Sequence, residues 1–243
     1  AVCQTLQIPG ASGGIAIDSA HGLAYVAGLA NSRWTPSLED LPGVRGDVVH
    51  VYRFTGTCGE AAFVRTIGVP PQPGAPAQQA FPPPRQGLAG TGLAWPQKLA
   101  VSRDGSRLLV PLNLANSAAV VDLSSDTVRY VVTGSYPYGA AILPDGRTGV
   151  VTNEAAGTLS VVDLVHATKV RDITVGAPLS HPEGVVVSAD GARAFVAVTA
   201  SDEVAVVDLA HGAVEATLSV GRPAGLGTQP VALALSAEGD RLF

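Results

Sequence analysis

The sequence predicts an all-β domain built from repeated four-stranded antiparallel units. Twenty-eight glycines and eighteen prolines interrupt the chain too often for long helices. The runs between them are short and rich in valine and alanine, which is typical of strands. The third observation is an internal repeat of roughly 40–50 residues, which indicates a repeat architecture.

Composition argues against several classes of protein. Hydrophobic residues make up 47% of the chain and charged residues 14%, against roughly 25% charged residues on average, so the chain is not intrinsically disordered. Fifteen basic and twenty acidic residues give a net charge of −5 without a basic stripe, which argues against binding to nucleic acid. No apolar run approaches the ~18 residues that cross a bilayer, so we expect no membrane span.

The chain has no methionine and two cysteines. We therefore expect that Ala1 is not an initiator residue and that processing or excerpting has removed the natural N-terminus. Cys3 and Cys58 either form one disulfide in an oxidising compartment or remain unpaired small apolar residues. We favour the disulfide, because both cysteines flank turn-like segments where a free thiol would be a liability.

The repeat is marked by three features that keep the same spacing. A proline follows an aromatic or polar residue at the start of each copy, at Pro96, Pro137, Pro182 and Pro230, spaced by 41, 45 and 48 residues. An acidic-Gly pair follows at Asp104-Gly105, Asp145-Gly146, Asp190-Gly191 and Glu238-Gly239. A Val-Val-Asp-Leu run contains Asp122, Asp163 and Asp208, whose carboxylates we expect to bind turn amides.

Each copy divides into four short runs bounded by turn residues. In the second copy they are Gly139–Leu143, Thr148–Thr152, Thr158–Asp163 and Lys169–Val175. The acidic-Gly pair suits a tight hairpin between the first two runs. Four antiparallel strands at this period are typical of a β-propeller blade, in which sheets repeat around an axis.

The chain accounts for about four and a half blades. We assign a degenerate blade to residues 11–68, a Pro-rich insertion to 69–94, three blades to 95–134, 135–176 and 180–221, and a partial blade to 228–243. An open arc would expose a blade face and sheet edges. We therefore expect a fragment of a larger ring, seven-bladed when complete.

The Val-Val-Thr-Asn run at 150–153, which follows Pro-Asp-Gly and precedes a Val-Val-Asp strand, resembles the YVTN-type β-propeller repeat of YncE-like proteins. Ser-Tyr-Pro-Tyr-Gly at 135–139 and Ser-His-Pro-Glu-Gly at 180–184 are similar to the propeller half of bacterial two-domain proteins. In those proteins an alkaline-phosphatase-type phosphoesterase domain follows the propeller. The resemblance implies an exported protein, periplasmic or extracellular, with the catalytic residues outside this chain.

We expect binding residues on the face where the innermost strands begin. Two enlarged connections fall there, 31–46 and 69–93, and such loops on a rigid scaffold often perform the function. We favour a Pro-rich loop that covers this face over a stiff spacer or a polyproline ligand. The candidates are Trp34 in the first loop and, beside the repeated prolines, Trp95, Gln97, Tyr136, Tyr138, His181, Glu183 and Gln229. A structural role remains open, in which each X-Pro pair only shapes a turn.

No catalytic or cofactor motif is apparent, and we expect neither a catalytic residue nor a cofactor in this chain. His181 and Glu183 lack a third metal ligand nearby. We expect Asn113 and Asn153 to bind turn amides after the second strand of their copies, and His166 and His211 to lie solvated at the opposite face.

The sequence therefore predicts a non-catalytic binding or scaffold domain. Its expected partners are a C-terminal phosphoesterase domain, another protein, or a small polar ligand on the channel face. The alternative is a propeller enzyme of lactonase or quinoprotein-dehydrogenase type with a site in the central channel. A third possibility is a surface adhesive array, which would show further repeats.

Overall fold

The computed structural model describes residues 4–6, 8, 11–29, 47–55, 61–70, 94–222 and 227–243. Cys3, Cys58, Trp34 and nearly all of the Pro-rich insertion lie outside these ranges, so the disulfide, the Trp34 candidate and the predicted loop over the channel face stay predictions. The described residues contain sixteen strands and no α-helix, which confirms the all-β class. No helix among them is long and apolar enough to cross a membrane.

The strands form four antiparallel sheets, each of four strands that are neighbours in sequence. Blade one has β1 (Ala11–Asp18), β2 (Leu23–Leu29), β3 (Asp47–Arg53) and β4 (Ala62–Gly68). Blade two has β5 (Ala100–Val101), β6 (Arg107–Leu112), β7 (Ser117–Asp122) and β8 (Thr127–Val132). Blade three has β9 (Pro137–Ile142), β10 (Thr148–Asn153), β11 (Thr158–Asp163) and β12 (Thr168–Thr174). Blade four has β13 (Pro182–Val187), β14 (Arg193–Val198), β15 (Glu203–Asp208) and β16 (Ala213–Ser219).

This arrangement is that of β-propeller blades, and the four sheets do not close into a ring. The fifth copy contributes a hairpin around Glu238-Gly239, where Leu235 pairs with Leu242. Single 3₁₀ turns at Asn113–Ala115 and Thr199–Ser201 separate the second and third strands of blades two and four. The full number of blades remains a prediction.

The repeated acidic residues shape the turns as predicted. In blade three, Asp145 accepts hydrogen bonds from the amides of Arg147 and Thr148 at 2.8 and 2.9 Å, and Gly146 follows with φ 64°. After the third strand, Asp163 accepts from the backbone amide of His166 at 3.1 Å. Its other oxygen lies 2.7 Å from His166 Nδ1, and the bonds from His166 lower the pKa of Asp163 to about 2.

The core consists of apolar layers between successive blades. The second and third strands of the inner blades, such as β6 and β11, are buried on both sides because each of these sheets lies between two others, whereas the outer strands β12 and β16 are largely exposed. Fully buried side chains include Val49 and Leu108 between blades one and two, Leu109 and Val162 between two and three, and Leu159 and Val196 between three and four. Their burial supplies most of the stabilising free energy, at roughly 25 cal/mol per Å² of apolar surface.

Arginines of the fourth strands clamp each blade to the next, beside the turn that follows its third strand. Arg65 bonds Asp126 at 2.8 Å, Arg129 bonds the Val165 carbonyl at 2.7 Å, and Arg171 bonds the Leu209 carbonyl. In blade four the equivalent position, opposite Val206, is Ala216, and the neighbouring Glu215 pairs with Arg193 of its own sheet. The clamp therefore repeats across the first three blade junctions.

The innermost strands approach one another so closely that only glycine fits at one position of three blades. A Cβ added to Gly14 would lie 2.3 Å from the Gln97 carbonyl oxygen, and one added to Gly139 would lie 2.1 Å from that of Glu183. At Gly184 the distance is 2.7 Å, to the carbonyl oxygen of Val231. These are backbone atoms, which cannot move aside as a flexible side chain can.

The contact between blades two and three is a backbone pairing. The Lys98 amide donates to the Tyr138 carbonyl at 3.0 Å, and the Ala140 amide donates to the Lys98 carbonyl at 3.0 Å. Lys98 and Gly139 thereby form a parallel bridge between two sheets. The inner strands thus set the spacing of the blades directly.

We predict that Gly139→Ala destabilises the protein by about 1–3 kcal/mol, because the added methyl group overpacks a rigid backbone contact. Gly68→Ala is the matched control, since its nearest neighbour lies 3.9 Å from the added Cβ. We expect that variant to be neutral or slightly stabilising through the unfolded state. Urea unfolding midpoints measure both changes, and equal midpoints for the two variants would contradict the close approach.

Candidate channel-face site

The residue before the repeated proline adopts a left-handed backbone in all four copies. The φ values are 54° at Trp95, 54° at Tyr136, 52° at His181 and 47° at Gln229. This conformation is uncommon outside glycine, and such residues often cluster at functional sites. We call the end of the blades that these four residues mark the channel face.

Side chains of the preceding blade hold this conformation at three of the four positions. Asn116 Oδ1 accepts from the Tyr136 amide at 3.0 Å, and Asp202 Oδ1 accepts from the Gln229 amide at 2.7 Å. Asp47 serves Trp95 in the same way at 3.3 Å. These caps lie at or just before the third strand of their blades, and sequence reasoning missed them.

The junction between blades three and four is built differently. Gly157 occupies the position of the capping residue and has no side chain that could accept a bond. The His181 amide instead donates to the Glu154 carbonyl at 3.2 Å. Glu154 is thereby tied to the segment that leads into blade four.

The structure separates the sequence-predicted candidates into two sets. Trp95, His181 and Gln229 are exposed and Tyr136 is partly exposed, so these four form a rim. One residue beyond each proline lie Gln97, Tyr138 and Glu183, which are buried or partly buried. Gln97 lies against Gly13 of blade one, apart from the group that Tyr138 and Glu183 join.

That group centres on Lys98, which sequence reasoning missed. Lys98 Nζ donates to the Val231 carbonyl at 2.7 Å and lies 5.0 Å from the centre of the Tyr138 ring. Burial lowers the pKa of Lys98, while the nearby carboxylates of Glu183 and Glu154 act in the opposite direction. The Lys98 ammonium is thus partly shielded from water but remains close to the two negatively charged carboxylates.

Glu154, also missed, supplies one of those carboxylates. Asn113 Nδ2 donates to Glu154 Oε2 at 3.2 Å and lies equally far from the Pro137 carbonyl. The prediction that Asn113 binds amides of its own turn was therefore wrong, because its amide group reaches into the next blade. Burial raises the pKa of Glu154, and the Asn113 bond opposes this shift.

Asn153 also departs from its predicted role. Its Oδ1 accepts from the Gly134 amide at 3.1 Å, and its Nδ2 donates to Ser160 Oγ at 2.9 Å. Its Nδ2 also donates to Thr158 Oγ1 at 2.9 Å, so Asn153 spans the turn after β10 through side-chain groups and joins it to the segment between blades, without binding the amides of that turn.

Glu183 supplies the second carboxylate. Burial raises its pKa, whereas Lys98, Thr199 and His181 act to lower it. Burial also raises the pKa of the Tyr138 hydroxyl, and the negative charges of the two glutamates raise it further. We call Lys98, Asn113, Tyr138, Glu154 and Glu183 the channel cluster.

The channel cluster offers an ammonium, an aromatic hydroxyl, an amide and two carboxylates in a partly desolvated place. Within the described ranges no three His, Cys, Asp or Glu side chains are arranged to hold a metal ion. Chemically, the cluster is suited to recognising a small polar molecule by charge and hydrogen bonds.

His166 and His211 lie in the turns after the third strands, with side chains 70% and 84% exposed.

Comparisons with known proteins support the fold. No family model matches the sequence, and no curated protein matches it. Hydrazine synthase of Kuenenia stuttgartiensis is similar in structure, with a TM-score of 0.57 and 26% identity over 65% of this chain. That protein contains a β-propeller, and the match spans 44% of its chain.

We predict that Glu154→Gln stabilises the protein at neutral pH. Glutamine keeps an oxygen that can accept the Asn113 bond but removes the charge. Because the pKa of Glu154 is raised above its usual 4.5, the folded protein keeps this proton at a higher pH than the unfolded chain does. The wild type therefore loses stability as the pH rises through that window, and the variant does not.

Thermal unfolding at about pH 4 and about pH 8 measures this difference. We expect the advantage of Glu154→Gln to appear only at the higher pH. Glu215→Gln is the matched control, because Glu215 forms an exposed ion pair with Arg193 and should show no such gain. Parallel pH profiles for wild type and Glu154→Gln would contradict the burial of the charge.

Proposed function

We propose that this chain is a non-catalytic β-propeller binding and scaffold domain whose channel face holds a small polar ligand or a partner. The observation that supports this proposal is the channel cluster, in which side chains from three successive blades converge. Ligand sites commonly combine a rigid scaffold with a few convergent polar groups.

The rim favours binding as well. Trp95 is 37% exposed, and Tyr136, His181 and Gln229 stand at equivalent positions of the following blades. Aromatic and amide side chains held by strained backbones next to the channel cluster are suited to contacting a ligand or another domain. A purely structural X-Pro turn would not require exposed aromatic side chains.

The proposed partner is a phosphoesterase domain, and the support for it is the sequence resemblance to YncE-like two-domain proteins of bacteria. On this proposal the protein is exported to the periplasm or beyond the cell, and its propeller packs against the catalytic domain. The intact mass of the natural protein tests this point. A mass that exceeds 24.5 kDa by a whole domain supports it, and a mass larger by a few blades alone contradicts it.

A propeller enzyme is the second candidate function. It is favoured by the raised pKa of Glu154 and of Glu183 beside the lowered pKa of Lys98, since shifted pKa values cluster at catalytic sites. Turnover by the complete propeller that is lost in Glu183→Gln would establish this alternative. Turnover confined to another domain would support the binding role.

We predict that channel-face variants weaken binding. A thermal-shift screen of small polar compounds against the wild type first identifies stabilising ligands. Tyr138→Leu and Glu183→Gln should reduce the stabilisation by each ligand, whereas the outer-strand control Glu215→Gln should retain it. Ligands that stabilise all four proteins equally would contradict the proposed face.

A further inference from the structure

Resting on the proposed function, we propose that the channel cluster binds a small zwitterion of the amino-acid type. The ligand's carboxylate would lie on the Lys98 ammonium, and its own ammonium would lie at the carboxylates of Glu154 and Glu183. The site therefore selects molecules that present both charges a few bonds apart.

The first step of the argument is the position of the Lys98 ammonium. An ammonium has three N–H donors, and the described contacts of Lys98 Nζ are the Val231 carbonyl and the face of the Tyr138 ring. In the described part of the chain, no carboxylate forms an ion pair with it. A donor thus remains for an anionic group of a ligand.

The second step is the position of the two carboxylates. Glu154 accepts one hydrogen bond from Asn113 at 3.2 Å, which leaves most of the acceptor positions of this carboxylate open. Both glutamates lie near enough to Lys98 to influence its ionisation, yet neither contacts its ammonium. Thr199 also bonds Glu183. Among the described residues, the ammonium and the two carboxylates are thus close to one another without a direct ion pair.

The third step is the space along the inner wall. Lys98 extends from blade two to Val231 of the fifth copy, past two blades whose equivalent residues are Gly139 and Gly184. Because both glycines pack directly against the backbone of the next blade, the wall itself leaves no room for a ligand. A ligand therefore lies beside the Lys98 side chain, where a compact molecule with two opposite charges could reach both the ammonium and the carboxylates.

A ligand with one charge would satisfy only half of the cluster. A simple anion would pair with Lys98 but approach two carboxylates, and a simple amine would pair with the carboxylates but approach Lys98. Like charges in a partly desolvated site repel, so either ligand would bind more weakly than a zwitterion. Stronger binding of a zwitterion than of a simple anion or a simple amine is therefore the property that distinguishes this site.

The chain offers a direct probe, because it has only two lysines, Lys98 and Lys169. Protein labelled with ¹³C at the lysine ε-carbon would show one signal for the site and one for an outer-strand control. The probes are glycine, β-alanine and 4-aminobutyrate, which space the charges differently, with acetate and methylammonium as the single-charge halves. We expect at least one zwitterion to shift the Lys98 signal saturably while the Lys169 signal stays constant.

Two variants and a control complete the experiment. Glu183→Gln should weaken binding of that zwitterion about tenfold or more in the same titration, and Lys98→Met should do so by calorimetry. Glu215→Gln should bind as the wild type does. Circular dichroism verifies that each variant is folded before binding is compared.

The result separates this inference from the proposed function. Saturable shifts of Lys98 by acetate or methylammonium as strong as those by any zwitterion would overturn the zwitterion class and leave the channel face as a binding site. The absence of a saturable shift with all three zwitterions would also overturn it. If ligands from the thermal-shift screen likewise leave Lys98 unchanged, the proposed face fails too.

Discussion

The close approach of the innermost strands is the constraint on which the rest of the structure depends. At Gly14, Gly139 and Gly184 a single added carbon would collide with the backbone of the following blade. Since these contacts are between backbones, they set how near one blade lies to the next. The same constraint fixes the blades at the spacing at which the Lys98 ammonium reaches the Val231 carbonyl of the fifth copy.

The buried charges of the channel cluster lower the stability of the folded protein, and the packing of the rest of each blade offsets this loss. Burial disfavours the charges of Lys98, Glu154 and Glu183, while the apolar layers between blades and the arginine clamps favour the fold. Residues retained at the expense of stability are typical of functional sites. This cost to stability is what the proposed binding role of the cluster would explain.

Much of the fold could be predicted from the sequence, because a blade repeats its chemistry at each copy. The spaced prolines, the Asp-Gly hairpins and the Val-Val-Asp-Leu strands each describe local structure that needs no distant partner. The site was only half predicted. Tyr138 and Glu183 stood beside a repeated proline, but Lys98 and Glu154 meet them only through contacts between blades, which a single sequence does not display.

A signal for Lys98 was nevertheless present in the alignment of the copies. Lys98 stands where the next two copies have Gly139 and Gly184, and a long charged residue in place of glycine is a departure that invites an explanation. The caps Asn116 and Asp202 likewise recur before the third strand. Departures from a repeat were thus as informative about the site as the repeat was about the fold.

The pH titration of the two lysine ε-carbon signals without ligand tests the central claim most directly. If Lys98 lies partly desolvated beside two carboxylates, its pKa lies below the usual 10.5. Its signal then also responds in the acidic range, where Glu154 and Glu183 take up protons above the usual 4.5. A Lys98 signal that titrates at the usual lysine value and does not change in the acidic range would contradict the channel cluster.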